Sequence, residues 1–216
     1  MAKRVILVHP YRPTMAPIIE AFARLWPQAQ VLNLLDESLY ADVGADGVLA
    51  DDVFERIAAL LRHACASRAD GVIFTGATFS PAVEAARAHL ELPVLKADEA
   101  MCAEIAASAG RVAILCTAKR ALPVIRAGVA AAAKGGPTPQ IEDICVEGAK
   151  DALVAGDKER HDRLIAEAME GLDDYAMLAL CQITMAPARE LLSPERAARV
   201  LVSPDASVKM MRRLLS

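Results

Sequence analysis

A chain of 216 residues is long enough for one large domain or two small ones with a sizeable core. Hydrophobic residues make up 55% of it and aromatic residues 4%, so Ala, Val, Leu and Ile must supply most of that core. The net charge is −4, and the sequence has no basic run of the kind that follows a phosphate backbone, which argues against nucleic acid as a partner.

Short apolar runs alternate with longer segments of helical period along the chain. Strands are expected at residues 4–8, 30–35, 71–75, 93–95, 111–116, 140–146, 176–181 and 199–202. Helices are expected at residues 15–26, 51–68, 81–90, 99–108, 120–134, 157–171, 187–192 and 205–215. Pro81 and Pro187 fit the first turn of a helix, where a missing N–H is tolerated. Because the strands are continuously apolar, the pattern predicts an α/β fold whose parallel strands are covered on both faces.

One segment occurs twice. Residues 75–84 and 181–190 both follow an apolar run, and Thr184 follows Thr78 by the same 106 residues that separate Pro187 from Pro81. A repeat of this length is a duplicated half of a protein, since solenoid units are much shorter. The sequence therefore predicts two similar parallel-sheet α/β domains, related by internal duplication, with a cleft between them. The first domain is expected to comprise residues 1–97 and 203–216, and the second residues 98–202.

The sequence also bounds the compartment and the cofactors. No segment is long and apolar enough to span a membrane, and the first residues run into a strand without a signal peptide, so we expect a cytoplasmic protein with no membrane partner. Five cysteines at irregular spacing, without a C-x-x-C pair, indicate reduced thiols. His63, His89 and His161 lie on predicted helices among charged residues, where we expect them at the surface. The scattered histidines indicate no metal, and the absence of a P-loop or G-x-G-x-x-G motif indicates no nucleotide cofactor.

Ligands of parallel α/β sheets bind beyond the carboxyl ends of the strands, where loops lead into helices. Thr78, Thr117 and Thr184 lie in such loops, next to small residues that let an anion approach backbone N–H groups. Each threonine alone is more typical of a helix N-cap. Their equivalent places in a duplicated frame favour an anion site.

The chain resembles the aspartate/glutamate/hydantoin racemase superfamily over essentially its whole length. The residues that carry the resemblance are 9–14, 36–39, 74–84, 93–96, 113–117 and 181–190. The resemblance implies a cofactor-independent enzyme that removes a proton alpha to a carboxylate of a small acid. In such enzymes a thiolate on one side of the carbon takes the proton and a thiol on the other side returns one. Dimerisation, or another homo-oligomer, is implied in the same way.

The chain departs from the family pattern at both thiol positions. Gly76 stands where the resemblance places the first cysteine, and Gln182 is its counterpart in the repeat, with Cys181 one residue earlier. In one interpretation a bend turns Cys181 toward the substrate, and a single thiol faces Gly76, as in the related arylmalonate decarboxylase. In the other, Cys181 points into the core, because adjacent strand residues face opposite sides. Cys65, Cys102 and Cys145 are expected in the core, and Cys116 in the core or lining the site.

The predicted function is that of a racemase or isomerase of this superfamily acting on a small carboxylate. The alternatives are a decarboxylase-like lyase that uses one thiol, and a carboxylate-binding protein without catalysis. Cys181 is the predicted catalytic residue. The predicted substrate-binding residues come from four loops and are His9, Tyr11, Gly76, Ala77, Thr78, Thr117, Gln182, Ile183 and Thr184. Arg12 is expected either to pair with a second substrate carboxylate or to lie on the solvated rim.

Overall fold

The computed structural model describes residues 2–43 and 48–216. In that part of the chain, no helix is long and apolar enough to cross a membrane. The chain forms two compact units, one comprising Met1–Ala100 with Ser207–Ser216 and the other Met101–Ala206. The domain limits drawn from the sequence stay a prediction, because a compact unit need not fold alone.

Unit 1 contains a parallel sheet of four strands in the order β2-β1-β3-β4. The strands are β1 Arg4–His9, β2 Gln30–Leu35, β3 Gly71–Phe74 and β4 Val94–Lys96. The α-helices are α1 Met15–Leu25, α2 Ser38–Ala41, α3 Asp51–Ala66 and α4 Ser80–Arg87, and α5 Glu99–Ala106 begins here. Short 3-10 helices at Arg12–Thr14 and Ala77–Phe79 precede α1 and α4. The sheet is covered on both faces, as its continuously apolar strands predict.

Unit 2 repeats this order with the sheet β6-β5-β7-β8, again wholly parallel. Its strands are β5 Val112–Cys116, β6 Ile141–Cys145, β7 Met177–Leu180 and β8 Val200–Val202. The helices are α6 Leu122–Ala132, α7 Ala149–Val154, α8 Lys158–Ala168 and α9 Pro194–Ala197, followed by α10 Ser203–Leu214. The 3-10 helices are Lys119–Ala121 and Ile183–Leu191. The matching strand orders confirm the predicted α/β class and the two similar parallel sheets.

The helix that the sequence placed at residues 187–192 is wrong in type and position. The segment Ile183–Leu191 is a 3-10 helix that begins four residues earlier, and Pro187 lies inside it rather than in its first turn. The first bond of this helix runs from the Met185 N–H to the Gln182 carbonyl, directly after the strand. Pro81 does lie in the first turn of α4, as predicted.

The last helix packs against the first sheet. Val208 and Met211 of α10 belong to the same apolar cluster as Leu7 and Ile73, together with Phe22 of α1. A Cβ atom added at Gly71, the first residue of β3, would lie 2.5 Å from the Met211 Sδ. The glycine therefore allows α10 to lie directly on the strand.

Candidate functional site

The carboxyl end of the unit 1 sheet holds a buried hydrogen-bonded network around His9. His9 Nδ1 lies 2.8 Å from the Thr75 hydroxyl oxygen, and Nε2 lies 3.0 Å from Asn33 Oδ1. The Thr14 hydroxyl is 3.2 Å from the same Nδ1 and donates to the Tyr11 carbonyl. Since Nε2 must donate to the Asn33 oxygen, Nδ1 is left as an acceptor for a threonine hydroxyl. Both ring nitrogens of His9, a predicted substrate-binding residue, are thus already hydrogen-bonded within the protein.

Burial sets the protonation of this histidine. The side chain is 0% exposed, and the loss of water around it lowers its pKa below the ordinary value, although the bond to Asn33 acts in the opposite sense. His9 is therefore a neutral imidazole at pH 7. A neutral, fully bonded ring positions the loops after β1 and β3, and it carries no charge to attract a carboxylate.

The loop after β3 contains three predicted binding residues, Gly76, Ala77 and Thr78, all half-buried. A Cβ added at Gly76 would lie 2.5 Å from Pro10 Cγ and 2.9 Å from Phe79 Cδ2. The backbone of Gly76 is extended, so glycine is required by the space and not by the dihedral angles. The volume that a cysteine side chain would need at this position is already filled. The N–H groups at the start of Ala77–Phe79 have no acceptor within that helix, so they remain suited to an anion.

Tyr11 stacks on Tyr40 with 5.2 Å between ring centroids, and Tyr40 meets Phe79 edge-on at 6.3 Å. Burial raises the pKa of Tyr11, with further contributions from Tyr40 and Glu37, so its hydroxyl stays protonated. Arg12 instead forms an exposed 2.8 Å ion pair with Glu37. Arg12 is thus exposed and paired with Glu37, which agrees with the interpretation that it lies on a solvated rim.

The carboxyl end of the unit 2 sheet carries a row of three thiols. Cys116 ends β5 and is the register partner of Cys145, which ends β6. Cys181 follows Leu180, the register partner of Leu115, and its N–H donates to the Leu115 carbonyl. Since β6, β5 and β7 are neighbours, the order across the sheet is Cys145, Cys116, Cys181. We call these residues the thiol row.

Interactions within the row give its three thiols different pKa values. The Cys181 thiol bonds to Cys116 and lowers the pKa of Cys116 to about 7, with help from Cys145 and the Ala118 N–H against the effect of burial. The same contact, with burial, raises the pKa of Cys181 well above its ordinary value. Burial and the negative charge of Cys116 raise the pKa of Cys145. The middle thiol is the acidic one because it receives donors from both sides.

Gln182 connects the two central loops of unit 2. Its Oε1 accepts from the Thr117 N–H at 2.7 Å and from the Thr117 hydroxyl at 3.1 Å. The Cys181 Sγ lies 3.8 Å from the same oxygen. Ile183 is buried and Thr184 half-buried, in the first turn of the 3-10 helix. Five of the predicted residues thus lie together at the carboxyl end of this sheet: Thr117, Cys181, Gln182, Ile183 and Thr184.

The two units place different chemistry in the same position of the repeated fold. Cys181 follows Thr75 by 106 residues, and both N–H groups donate to the central strand, to Leu115 and Val8 respectively. Cys116 and His9 are the last residues of β5 and β1. The hydrogen-bonded pair His9–Thr75 in unit 1 therefore corresponds to the pair Cys116–Cys181 in unit 2.

The thiol row was not predicted from the sequence, and one histidine was predicted in the wrong place. Cys145 was expected in the core but is half-buried at a strand end, while Cys102 is buried as expected. His161 was expected at the surface, but it is buried and bonds to Asp162 through Nδ1 at 2.7 Å. The predicted strands 111–116 and 140–146 have Cys116 as the last residue and Cys145 as the last but one, which was a signal for the row.

A family model for Asp/Glu/hydantoin racemase matches residues 18–211. The chain belongs to the Asp/Glu/hydantoin racemase family. The sequence-based assignment to this family is thereby confirmed. No curated protein matches the chain by sequence.

Solved structures with the racemase-family fold resemble the whole chain at low identity. Allantoin racemase from Klebsiella pneumoniae has a TM-score of 0.69 and 19% identity, covering 99% of this chain and 88% of that one. Aspartate racemase from Picrophilus torridus gives 0.71 and 10%, covering 99% and 94%. Unliganded arylmalonate decarboxylase gives 0.61 and 16%, covering 100% and 94%. At these identities the likeness shows the fold.

Proposed function

We propose that the protein is an enzyme that generates and protonates a carbanion alpha to a carboxylate of a small acid, without a cofactor, and that Cys181 is the proton donor. Membership of a racemase family supports the reaction class. The loop after β7 supplies first-turn N–H groups next to Cys181 that would hold the carboxylate. The same groups would stabilise the negative charge that develops on it in the transition state.

The observation that carries the proposal furthest is the one-sided distribution of thiols. All three cysteines at strand carboxyl ends belong to unit 2, and in unit 1 the position where the family resemblance places a thiol is Gly76, where a Cβ has no room. Inversion by two thiols needs one on each side of the carbon. A single side with thiols favours decarboxylation followed by protonation.

In that reaction the bond from the alpha carbon to one carboxylate breaks and CO₂ leaves. The bonding electrons remain on the alpha carbon, delocalised into the second carboxylate. The Cys181 S–H gives its proton to that carbon, and the thiolate that results takes a proton from water. Because a thiol of raised pKa stays protonated at neutral pH, the donor is loaded when the carbanion forms.

Two other outcomes have observations in their favour. The family and several structural neighbours are racemases, which supports racemisation or isomerisation with a base other than a thiol at residue 76. Cys181 is 3% exposed, which supports a carboxylate-binding protein without catalysis.

Incubation in D₂O distinguishes these outcomes. The panel contains substituted malonates, amino acids, hydroxy acids and hydantoins, followed by ¹H NMR, chiral chromatography and CO₂ release. CO₂ release with deuterium at the alpha carbon supports the lyase, and inversion supports the racemase. Ligand-induced thermal stabilisation without turnover supports the binding protein. Cys65→Ala, which removes the thiol of unit 1, is the matched control; full activity of Cys181→Ala would refute the role of Cys181.

A further inference from the structure

The thiol row contains two cysteines that the proposed reaction does not use. We propose that Cys116 is the ionised member of the row and acts through Cys181, holding Cys181 as a thiol so that it remains a proton donor into alkaline solution. The role of Cys116 as a positioning residue rests on the proposed function, whereas the location of the charge does not.

Sheet register brings the three sulfur atoms together. Cys116 and Cys145 are direct partners on parallel strands, and Cys181 extends the β5–β7 register by one residue. Neighbouring strands of a sheet are about 4.8 Å apart, which brings side chains on the same face into contact. As the middle member of the row, Cys116 lies next to both outer thiols across the sheet, so both are placed to donate to it; the Cys181 S–H also reaches Gln182 Oε1 at 3.8 Å.

Solvation and backbone hydrogen-bond donors also indicate Cys116 as the thiol that carries the negative charge. Cys116 is fully buried, and a thiolate there needs hydrogen bonds to replace lost water. The Ala118 N–H, at the start of the next loop, supplies a third donor. A thiolate at Cys181 would have as backbone donor its own N–H, which also bonds to the Leu115 carbonyl, and it would lie beside Cys102 of α5.

The charged groups that face the row leave Cys116 as the thiol that ionises first. Asp143 of β6 opposes a charge on Cys116, but Arg126 of α6 binds its carboxylate at 3.0 Å. Glu147 and Lys119 act on Cys145 in opposite senses. In the described residues no group of three or more His, Cys, Asp or Glu is arranged to hold a metal ion.

The consequence for catalysis is electrostatic. While Cys116 is a thiolate, removing the Cys181 proton would place two negative charges side by side, so Cys181 stays protonated at pH values where an isolated thiol ionises. After the carbanion has taken that proton, the same repulsion drives Cys181 to recover one from water. Removing the charge at Cys116 should therefore shift the alkaline limit of activity to lower pH.

Thiolate absorbance at 240 nm tests the location of the charge without any substrate. In the reduced protein under argon we expect one thiolate step near pH 7, which Cys65→Ser retains and Cys116→Ser loses. In Cys116→Ser a new step should appear at lower pH than the Cys181 step of the wild type. Cys116→Ala, checked by circular dichroism, repeats the test if the serine variant fails to fold. A step near pH 7 that survives in both variants, or its absence from the wild type, would overturn the proposal.

The dependence of activity on pH provides a separate test. If a substrate is found, Cys116→Ser should keep the acid side of the kcat profile and lose activity at lower alkaline pH than Cys65→Ser. An unchanged alkaline limb would overturn the positioning role, while the absorbance result still locates the charge. If Cys181→Ala is fully active, the proposed function fails and the thiolate assignment stands on the titration alone.

Discussion

Gly76→Ala should destabilise the protein even though it adds a single methyl group. The new Cβ would lie 2.5 Å from Pro10 Cγ, 2.9 Å from Phe79 Cδ2 and 3.2 Å from Phe74 Cε1, and all three of these neighbours are buried. Because Gly76 has extended dihedral angles, the substitution adds no backbone strain.

The magnitude follows from two opposing effects. Overpacking a filled core costs about 1–3 kcal/mol. Replacing glycine restricts the unfolded chain and returns about 0.4–1 kcal/mol. We therefore expect the free energy of unfolding to fall by about 1–2 kcal/mol for Gly76→Ala, and by more for Gly76→Cys, whose sulfur also needs space.

Urea unfolding followed by circular dichroism measures this change. Pro10→Ala removes the Cγ that makes the shortest contact, so the double variant should recover part of the loss. A double-mutant cycle should give a coupling of about 0.5–3 kcal/mol between the two residues. A Gly76→Ala protein as stable as the wild type, or zero coupling, would refute the conclusion that a thiol cannot be accommodated at this position.

Three further predictions concern hydrogen-bonded polar side chains. Burial raises the pKa of Asp98, which accepts from the Ser80 hydroxyl at 2.8 Å, so its ionisation costs stability as pH rises through the folded-state value. Urea unfolding at pH 4.5 and 7 should show Asp98→Asn gaining stability relative to the wild type at the higher pH. His9 has a lowered folded-state pKa, so stability should fall as pH drops below about 6.5. Thermal unfolding from pH 7.5 to 5 should show that slope reduced in His9→Gln, and an equal slope would contradict the prediction. Gln182→Ala removes the acceptor for the Thr117 N–H and should cost about 1–3 kcal/mol, whereas Gln182→Glu keeps an acceptor and should cost less.

Most strands were predictable because they are runs of apolar residues long enough to cross a covered sheet; β2, with Asn33, and β6, with Glu142 and Asp143, also contain polar residues. All eight were placed, and the spacing between Thr78 and Thr184 indicated the duplicated frame. The helical pattern also contained a signal that was not used: His161, Ile165 and Met169 recur every four residues and are all buried. His161 was misplaced because its charged neighbours were weighed above that spacing.

The candidate site could not be predicted to the same depth. Its chemistry depends on which strands are neighbours, and strand order is decided by packing across long sequence distances. Cys116 and Cys145 are 29 residues apart in the chain yet are direct partners in the sheet. Gly76 is recognisable from the sequence as the position of a missing thiol, but only the positions of Pro10 and Phe79 explain why nothing larger fits.

The packing of α10 on β3 has a consequence for synthesis of the chain. Unit 2 is inserted between the two segments of unit 1, and Val208 and Met211 complete an apolar cluster that begins with Val5. At about 5–20 residues per second, the ribosome needs roughly 5–20 s to make the intervening residues. During that interval, the part of this face beside Gly71 that α10 later covers is exposed, although α1 already packs on the same face, while the strands of unit 2 are being completed. The second half of the duplication can therefore finish folding before the first.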